Sequence, residues 1–175
     1  ALIVNRDGQL RRLKATGGEP EPVNMGSRPR ATAQHTLSPD GTTIFFTANE
    51  KGRQLPYTMP ITGGTPSRVP RGADGWAQAW SPDGATRVIA RASGRAVDLY
   101  AIPTKGGKIH RLTMNASRNL GAAFAPDSKR LFFHSNRSGV LQLWTMDADG
   151  ANPARSAYIR ARVTSAVVMA PIVPR

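Results

Sequence analysis

The sequence predicts an all-β protein built from repeated four-stranded units, and three observations support this. The tetrapeptide Ser38-Pro39-Asp40-Gly41 returns as Ser81-Pro82-Asp83-Gly84 and, in altered form, as Ala125-Pro126-Asp127-Ser128. An apolar run follows each copy, at residues 44–46, 88–90 and 131–133. The chain of 175 residues is also rich in turn formers, with 17 Gly and 14 Pro. A period in the low forties whose copies each begin a β-rich run is typical of the blades of a β-propeller.

The elements around this turn recur in a constant order. A short strand precedes the turn at residues 32–37, 76–80 and 120–124, and the apolar second strand follows it. After a polar turn that contains Gly, a third strand carries an aromatic residue at one position: Tyr57, Tyr100 or Trp144. A glycine-rich turn then leads to a short fourth strand at residues 67–69 and 110–113. This order predicts a four-stranded antiparallel meander. We expect these aromatic side chains, with Phe46 and Phe133, to lie in the core between blades.

The chemistry of the repeated tetrapeptide explains why it forms a joint between the first and second strands. Pro presets φ for the second position of a type I turn, and Ser and Asp can bond to nearby backbone groups. Gly accepts the positive φ that returns the chain to strand pairing. The three recurring acids are therefore interpreted as turn residues and not as a catalytic set: Asp40, Asp83 and Asp127.

The two ends of the chain each match part of a unit. Residues 2–4 match a second strand and residues 10–13 a third, while residues 164–171 match a first strand and its proline. We therefore expect one propeller domain over residues 1–175, with blades at about 32–74, 75–117 and 118–163 and a composite blade from 1–31 plus 164–175. These four blade-equivalents fit a closed four-bladed ring or part of a six- or seven-bladed propeller. Self-association that completes a propeller is a further possibility.

The repeat has the order SPDG, an apolar strand (IFF, VIA or LFF), Asn-Arg-x-Gly, an aromatic strand (LYAIP or LWTMD), Gly-Gly and a strand ending in Leu-Thr. This pattern resembles the WD-like, PD40-type propeller repeat of the TolB family. The resemblance implies a periplasmic or otherwise exported protein-binding propeller, with a Pal-like lipoprotein as the partner of a true TolB relative. Similar repeats form the non-catalytic propellers of prolyl oligopeptidase-type and tricorn-type peptidases. The alternative is thus a propeller that gates or docks the substrate of a larger peptidase.

Composition limits the chemistry that the chain could perform. The absence of cysteine removes disulfides, thiolate nucleophiles and Cys-based zinc sites, and leaves the compartment open, the cytoplasm included. No apolar run approaches the ~20 residues that a membrane-spanning helix needs. The formal net charge of +13 favours an anionic partner. Nucleic acid is a poor candidate for that partner, because the recurring aromatic residues are assigned to the core and no nucleic-acid-binding motif occurs.

No catalytic, metal or cofactor site is expected. The chain has no Gly-x-Ser-x-Gly elbow, and its three histidines occupy unrelated positions in the repeat: His35, His110 and His134. Residues 147–150 begin like a calcium loop but lack its third acidic ligand and its closing Glu, so we interpret them as a turn. His35 falls in a first strand, where it could line the central channel and contribute to partner binding, or serve as a hydrogen-bonded structural residue.

Cationic residues concentrate on one predicted face of the propeller. Loops after second and fourth strands share this face, and they carry Arg6, Lys51, Arg53, Arg95, Arg137, Arg28, Arg30, Arg71 and Arg118. The acids predicted there are fewer: Asp7, Glu50 and Asp74. Guanidinium groups bind carboxylates in forked pairs. The sequence thus predicts a non-enzymatic scaffold for protein interactions, whose loop face around the channel mouth binds an acidic protein segment or peptide.

Overall fold

The computed structural model describes residues 2–26, 31–69 and 72–156, which form four antiparallel sheets. Blade one contains β1 (Leu2–Arg6), β2 (Gln9–Leu13) and β3 (Glu21–Pro22). Blade two contains β4 (Ala31–Leu37), β5 (Thr43–Glu50), β6 (Arg53–Pro60) and β7 (Ser67–Arg68). Blade three contains β8 (Trp76–Trp80), β9 (Thr86–Ser93), β10 (Ala96–Pro103) and β11 (His110–Arg111). Blade four contains β12 (Asn119–Phe124), β13 (Arg130–Ser135), β14 (Gln142–Asp147) and β15 (Ala154–Arg155).

Within each blade every strand pairs with the next one along the chain. The predicted all-β class and the four-stranded antiparallel meander are confirmed. Blade one has strands that correspond to the second, third and fourth of the unit. The segment that we expect to supply its first strand, residues 164–171, lies outside the described residues.

The repeated tetrapeptide forms the predicted joint between first and second strands. Ser38 Oγ donates a hydrogen bond to Asp40 Oδ1 at 2.5 Å, and the Gly41 amide donates to the Ser38 carbonyl at 2.8 Å. The same carboxylate oxygen accepts the amide of Thr42 at 3.0 Å, and these bonds hold the pKa of Asp40 below its usual value. In the third copy Ser128 takes the position of Gly with a φ of 61°. The acid therefore organises the turn.

The core lies between successive blades, because each strand presents alternate residues to opposite sides. In β5, Ile44, Phe46 and Ala48 pack with Ile3 and Leu10 of blade one. Phe45, on the other side of β5, is in a second cluster with Ala77, Ile89 and Ile102 of blade three. A third cluster joins blade three to blade four. The predicted core aromatics are confirmed, because each belongs to or packs against one of these clusters: Phe46, Tyr57, Tyr100, Phe133 and Trp144.

The first strands of successive blades lie next to one another, as they do around the axis of a propeller. Each of these strands has a register shift against its second strand, and such bulges increase local twist. The bulge in β8 contains Gln78, whose Oε1 accepts the Gly121 amide of β12 at 2.7 Å. A side-chain-to-backbone bond therefore ties the innermost strands of blades three and four together.

Candidate functional site

The loops after second and fourth strands share one face of the propeller, which we call the upper face. Three contacts establish this arrangement. Arg53, which follows the turn after β5, bonds to Asp74 in the loop after β7. The amide of Gly75 donates to the carbonyl of Gln54 at 2.8 Å. In blade four, Asn136 Oδ1 accepts the amide of Arg118 at 2.8 Å. The loops after first and third strands form the opposite, lower face.

Four predicted cations of the upper face are exposed and make no side-chain ion pair among the described residues: Arg6, Lys51, Arg95 and Arg118. Three further predicted residues, Arg28, Arg30 and Arg71, lie outside the described residues. Of the acids on this face, only Asp7 is exposed without a described side-chain partner. The other two have internal partners.

Glu50 and Asp74 are both engaged within blade two. The hydroxyl of Tyr57 donates to Glu50 Oε1 at 2.6 Å, and burial together with this acid raises the pKa of Tyr57 to about 12. Asp74 Oδ1 accepts Arg68 Nη2 at 3.0 Å, while its other oxygen accepts Arg53. Burial alone would raise the pKa of Asp74, but the two arginines hold the pKa below its usual value. Arg53 is thus an exposed cation that already has a counter-ion.

Arg137 is held by the interior of blade four. Its guanidinium carbon lies 4.7 Å from the ring centre of Trp144 and 5.1 Å from that of Phe133. Its Nη2 atom donates to Asn119 Oδ1 at 3.2 Å, and its Nε atom donates to Ser135 Oγ at 3.1 Å. A partner would have to compete with these contacts, so Arg137 is better placed to stabilise the loop than to bind freely.

His35 likewise has an internal role. Its Nε2 atom lies 2.8 Å from the carbonyl oxygen of Ile3, so Nε2 carries the proton and donates it to that carbonyl. This bond crosses from the first strand of blade two to the second strand of blade one. This contact is of the kind that the structural interpretation of His35 expects, and a part in partner binding stays a prediction.

A polar network between blades three and four was not predicted. The fully buried carboxylate of Asp98 accepts Arg111 Nη2 at 2.6 Å and Thr113 Oγ1 at 2.7 Å. Asn119 Nδ2 lies 3.5 Å from the same carboxylate and 2.9 Å from the Val97 carbonyl. The sequence signal for this network was Asp98 itself, an acid in a largely apolar third strand. The equivalent residues in the other complete blades are Leu55 and Gln142, which carry no charge.

Exposed apolar side chains on the upper face were also not predicted. Met114, in the loop after β11, is 80% exposed. In the loop after β13, Val140 is 61% exposed and Leu141 is 49% exposed. Of the large apolar residues that are exposed in the described part of the chain, these three lie on the upper face, and the fourth is Leu2. The upper face thus combines cations with apolar surface.

Metal ligands and membrane-spanning helices were both expected to be absent, and two findings on the described residues bear on them. In residues 2–26, 31–69 and 72–156, no group of three His, Asp or Glu side chains is placed to hold a metal ion. Residues 147–150 form the turn between β14 and β15, where the Gly150 amide donates to the Asp147 carbonyl at 2.9 Å. The same described part of the chain contains no helix with the length and apolarity for crossing a bilayer.

Comparison with known proteins places this fold in a family. The family model for the TolB beta propeller domain matches residues 70–171. A curated protein of Agrobacterium fabrum, itself described as uncharacterised, is 33% identical over 162 residues, which are 90% of this chain and 55% of the relative. The chain therefore spans about half the length of that relative.

Two solved structures show the same architecture. A protein from Agrobacterium tumefaciens, provisionally named TolB, matches with a TM-score of 0.81 and 32% identity over 87% of this chain and 56% of that one. TolB from Acinetobacter baumannii matches with a TM-score of 0.72 over 87% of this chain and 40% of that one. At 21% identity the second match shows the fold alone. With the family model matching more than half of its length, the chain belongs to the TolB β-propeller family.

Proposed function

We propose that the chain is a non-enzymatic scaffold whose upper face binds an acidic, partly apolar segment of a protein partner. The observation that carries this proposal is the coincidence of exposed cations and exposed apolar side chains on one face. Arg118 ends the loop that carries Met114, and Arg95 belongs to the neighbouring loop of blade three. Glu50 and Asp74 already have internal partners. Few acids of this face would therefore compete with a partner's carboxylates for the exposed cations.

The mixture of surfaces favours a protein over a nucleic acid as the partner. Nucleic-acid binders combine cations with exposed aromatic platforms, on which bases stack. Here Phe46 and Tyr57 stack on each other in the core, with ring centres 5.9 Å apart. Aliphatic side chains such as Met114 and Leu141 instead suit the desolvated centre of a protein interface, which a charged rim surrounds. The cations would then speed association and orient the partner.

Family membership supports a more specific form of the proposal. As a TolB-family propeller, the chain would act in the periplasm or another exported location, and a Pal-like lipoprotein would be its partner. The chemistry required of that partner is a segment with several carboxylates and a few apolar side chains. The whole protein's activity is part of the same proposal, because the chain spans about half of the relatives' length.

The test is a comparison of two triple charge reversals. Arg6, Arg95 and Arg118 are changed to Glu on the upper face, and Lys105, Lys129 and Arg130 are changed to Glu on the lower face as a control. All six side chains are exposed, so both variants should fold, and they change the net charge equally. The probe is a labelled peptide rich in Glu and Leu, with a Gln-containing peptide as its neutral counterpart.

We expect the upper-face variant to bind the acidic peptide at least about tenfold more weakly and the control to bind it like the parent. Equal weakening in both variants would mean that only bulk charge matters, which contradicts a specific face. Binding in the upper-face variant that is as tight as in the parent would also overturn the proposal. Hydrolysis of the peptide by the full chain would contradict the non-enzymatic role.

A further inference from the structure

A buried arginine lies on the opposite side of the molecule from the upper face. Arg87 is the second residue of β9, close to the lower face, and it is only 8% exposed. The corresponding second-strand residues of blades two and four are Ile44 and Leu131, and both are completely buried. The scaffold therefore accommodates an aliphatic side chain at this position of the blade, and a cation is not a requirement of the fold.

Two aromatic rings surround the guanidinium of Arg87. Its central carbon lies 5.5 Å from the ring centre of Trp80 in the same blade and 5.7 Å from that of Phe45 in blade two. These two rings meet edge to face, with centres 6.1 Å apart and an interplanar angle of 82°. The cation is thus enclosed between blades two and three by π-faces, which attract it but accept no N–H hydrogen bond of ordinary strength.

The guanidinium has no conventional counter-ion. Its Nε atom is buried and has no hydrogen-bond acceptor, and no described carboxylate forms an ion pair with it. Its terminal nitrogens form no hydrogen bond with the described residues either, but unlike Nε they are not fully enclosed and reach the surface. Burial lowers the pKa of Arg87, yet a guanidinium stays charged in proteins. A desolvated charge without a partner is costly, and an anion from outside would remove that cost.

We propose that Arg87 anchors a second anion site, on the lower face between blades two and three, that takes a single carboxylate. One forked cation matches one carboxylate, whereas a phosphate would need further donors that the described surroundings do not supply. The rings of Trp80 and Phe45 would exclude water from the pair and so strengthen it. The carboxylate could belong to a small organic acid or to an acidic side chain of a protein, and the two sources are separable by experiment.

The experiment compares the full chain with three variants. Arg87→Leu reproduces the aliphatic residues of blades two and four, so it should fold at least as stably as the parent. Arg87→Lys keeps the charge but removes the forked geometry. Arg130→Gln is the matched control, since Arg130 is an exposed arginine near the lower face. The probes are succinate and a short Asp-containing peptide, each compared with sodium chloride at equal ionic strength, and the readouts are tryptophan fluorescence and the thermal midpoint.

For the parent chain and Arg130→Gln we expect a saturable change in fluorescence, because Trp80 contacts the guanidinium, and a rise in the thermal midpoint. In the background of the upper-face triple reversal, which removes peptide binding at the upper face, Arg87→Leu should show neither effect, and Arg87→Lys should bind about tenfold or more weakly. Tighter binding of the peptide identifies a protein side chain as the source, and equal binding identifies a small carboxylate. The proposal is overturned if the parent responds to neither probe, or if Arg87→Leu responds as the parent does. The upper-face triple reversal should retain the response, which separates this site from the proposed function.

Discussion

The carboxylate of Asp98 in β10 is fully buried and accepts a hydrogen bond of 2.6 Å from Nη2 of Arg111 in β11. Thr113 and Asn119 donate to the same carboxylate, and Asn119 belongs to blade four. The acid therefore fastens the edge of blade three and orients the residue that begins the next blade. Because Arg111 remains partly exposed, Asp98 and Arg111 form a charge-assisted hydrogen bond at the edge of the core.

Changing Asp98 to Ala should lower the free energy of unfolding by about 3 kcal/mol, because the buried donors of Thr113 and Asn119 lose their acceptor. Changing Arg111 to Ala should cost less, about 2 kcal/mol, because the buried carboxylate of Asp98 loses its counter-ion but keeps the donors of Thr113 and Asn119, and water can reach the place of a side chain that is 44% exposed. Urea unfolding followed by tryptophan fluorescence measures both. An equal cost for the two changes would contradict the conclusion that the buried donors dominate.

Arg137 and Arg95 follow the second strands of neighbouring blades but should differ in their effect on stability. Arg137 lies against Phe133 and Trp144 and bonds to Asn119, whereas Arg95 is exposed. Replacing Arg137 by Ala should reduce the free energy of unfolding by about 1–2 kcal/mol, and replacing Arg95 by Ala should change it by less than about 0.5 kcal/mol. Chemical denaturation of the two variants tests this, and equal effects would mean that the cation–π contacts contribute nothing.

The meander could be predicted because each of its joints has a distinct local chemistry. The contacts of Asp40 stay within the turn that contains it, so residues close in the chain specify them. The prediction for the upper face was less complete for a physical reason. Whether an arginine is free depends on partners from other loops: Arg53 meets Asp74 after a long connection, and Arg137 meets Asn119 of the preceding strand. The repeat pattern specifies which face a loop joins, but not which side chains pair there.

For Arg87, too, the sequence could not predict the contacts of the side chain. Its position in the repeat is an ordinary core position, occupied by Ile44 and Leu131 in other blades. The sequence signal was present as a cation at an aliphatic position. Only the packing of Trp80 and Phe45 around it shows that the charge is enclosed and lacks an acceptor.

Tyr57 should make stability depend on pH in the alkaline range. Its folded pKa of about 12 lies above the usual value of 10.0, so the folded state holds the phenolic proton more tightly than the unfolded chain. The stabilisation is fully present below about pH 10 and is lost as the pH rises toward 12. Over that range the parent should lose about 2–3 kcal/mol more than Tyr57→Phe, which has no proton to release. Parallel denaturation of the two proteins at several pH values measures the difference, and identical pH profiles would contradict the assignment.

Gly75 is the glycine at which a side chain should be least tolerated. Its φ is 145°, and a Cβ atom built there would lie 2.3 Å from the backbone oxygen of Ala90. The backbone of β9 cannot move away without disturbing the core around Ile89, so Gly75→Ala should cost about 3 kcal/mol or more.

Gly84 is the matched control for that change. It also has a positive φ, of 74°, but a Cβ atom there meets nothing within 4 Å. Gly84→Ala should therefore cost only the conformational strain of the turn, about 1 kcal/mol. Thermal unfolding of both variants separates the cost of the steric contact with Ala90 from the cost of a positive φ. Equal losses of stability would show that positive φ alone governs both positions and that β9 yields to the added methyl group.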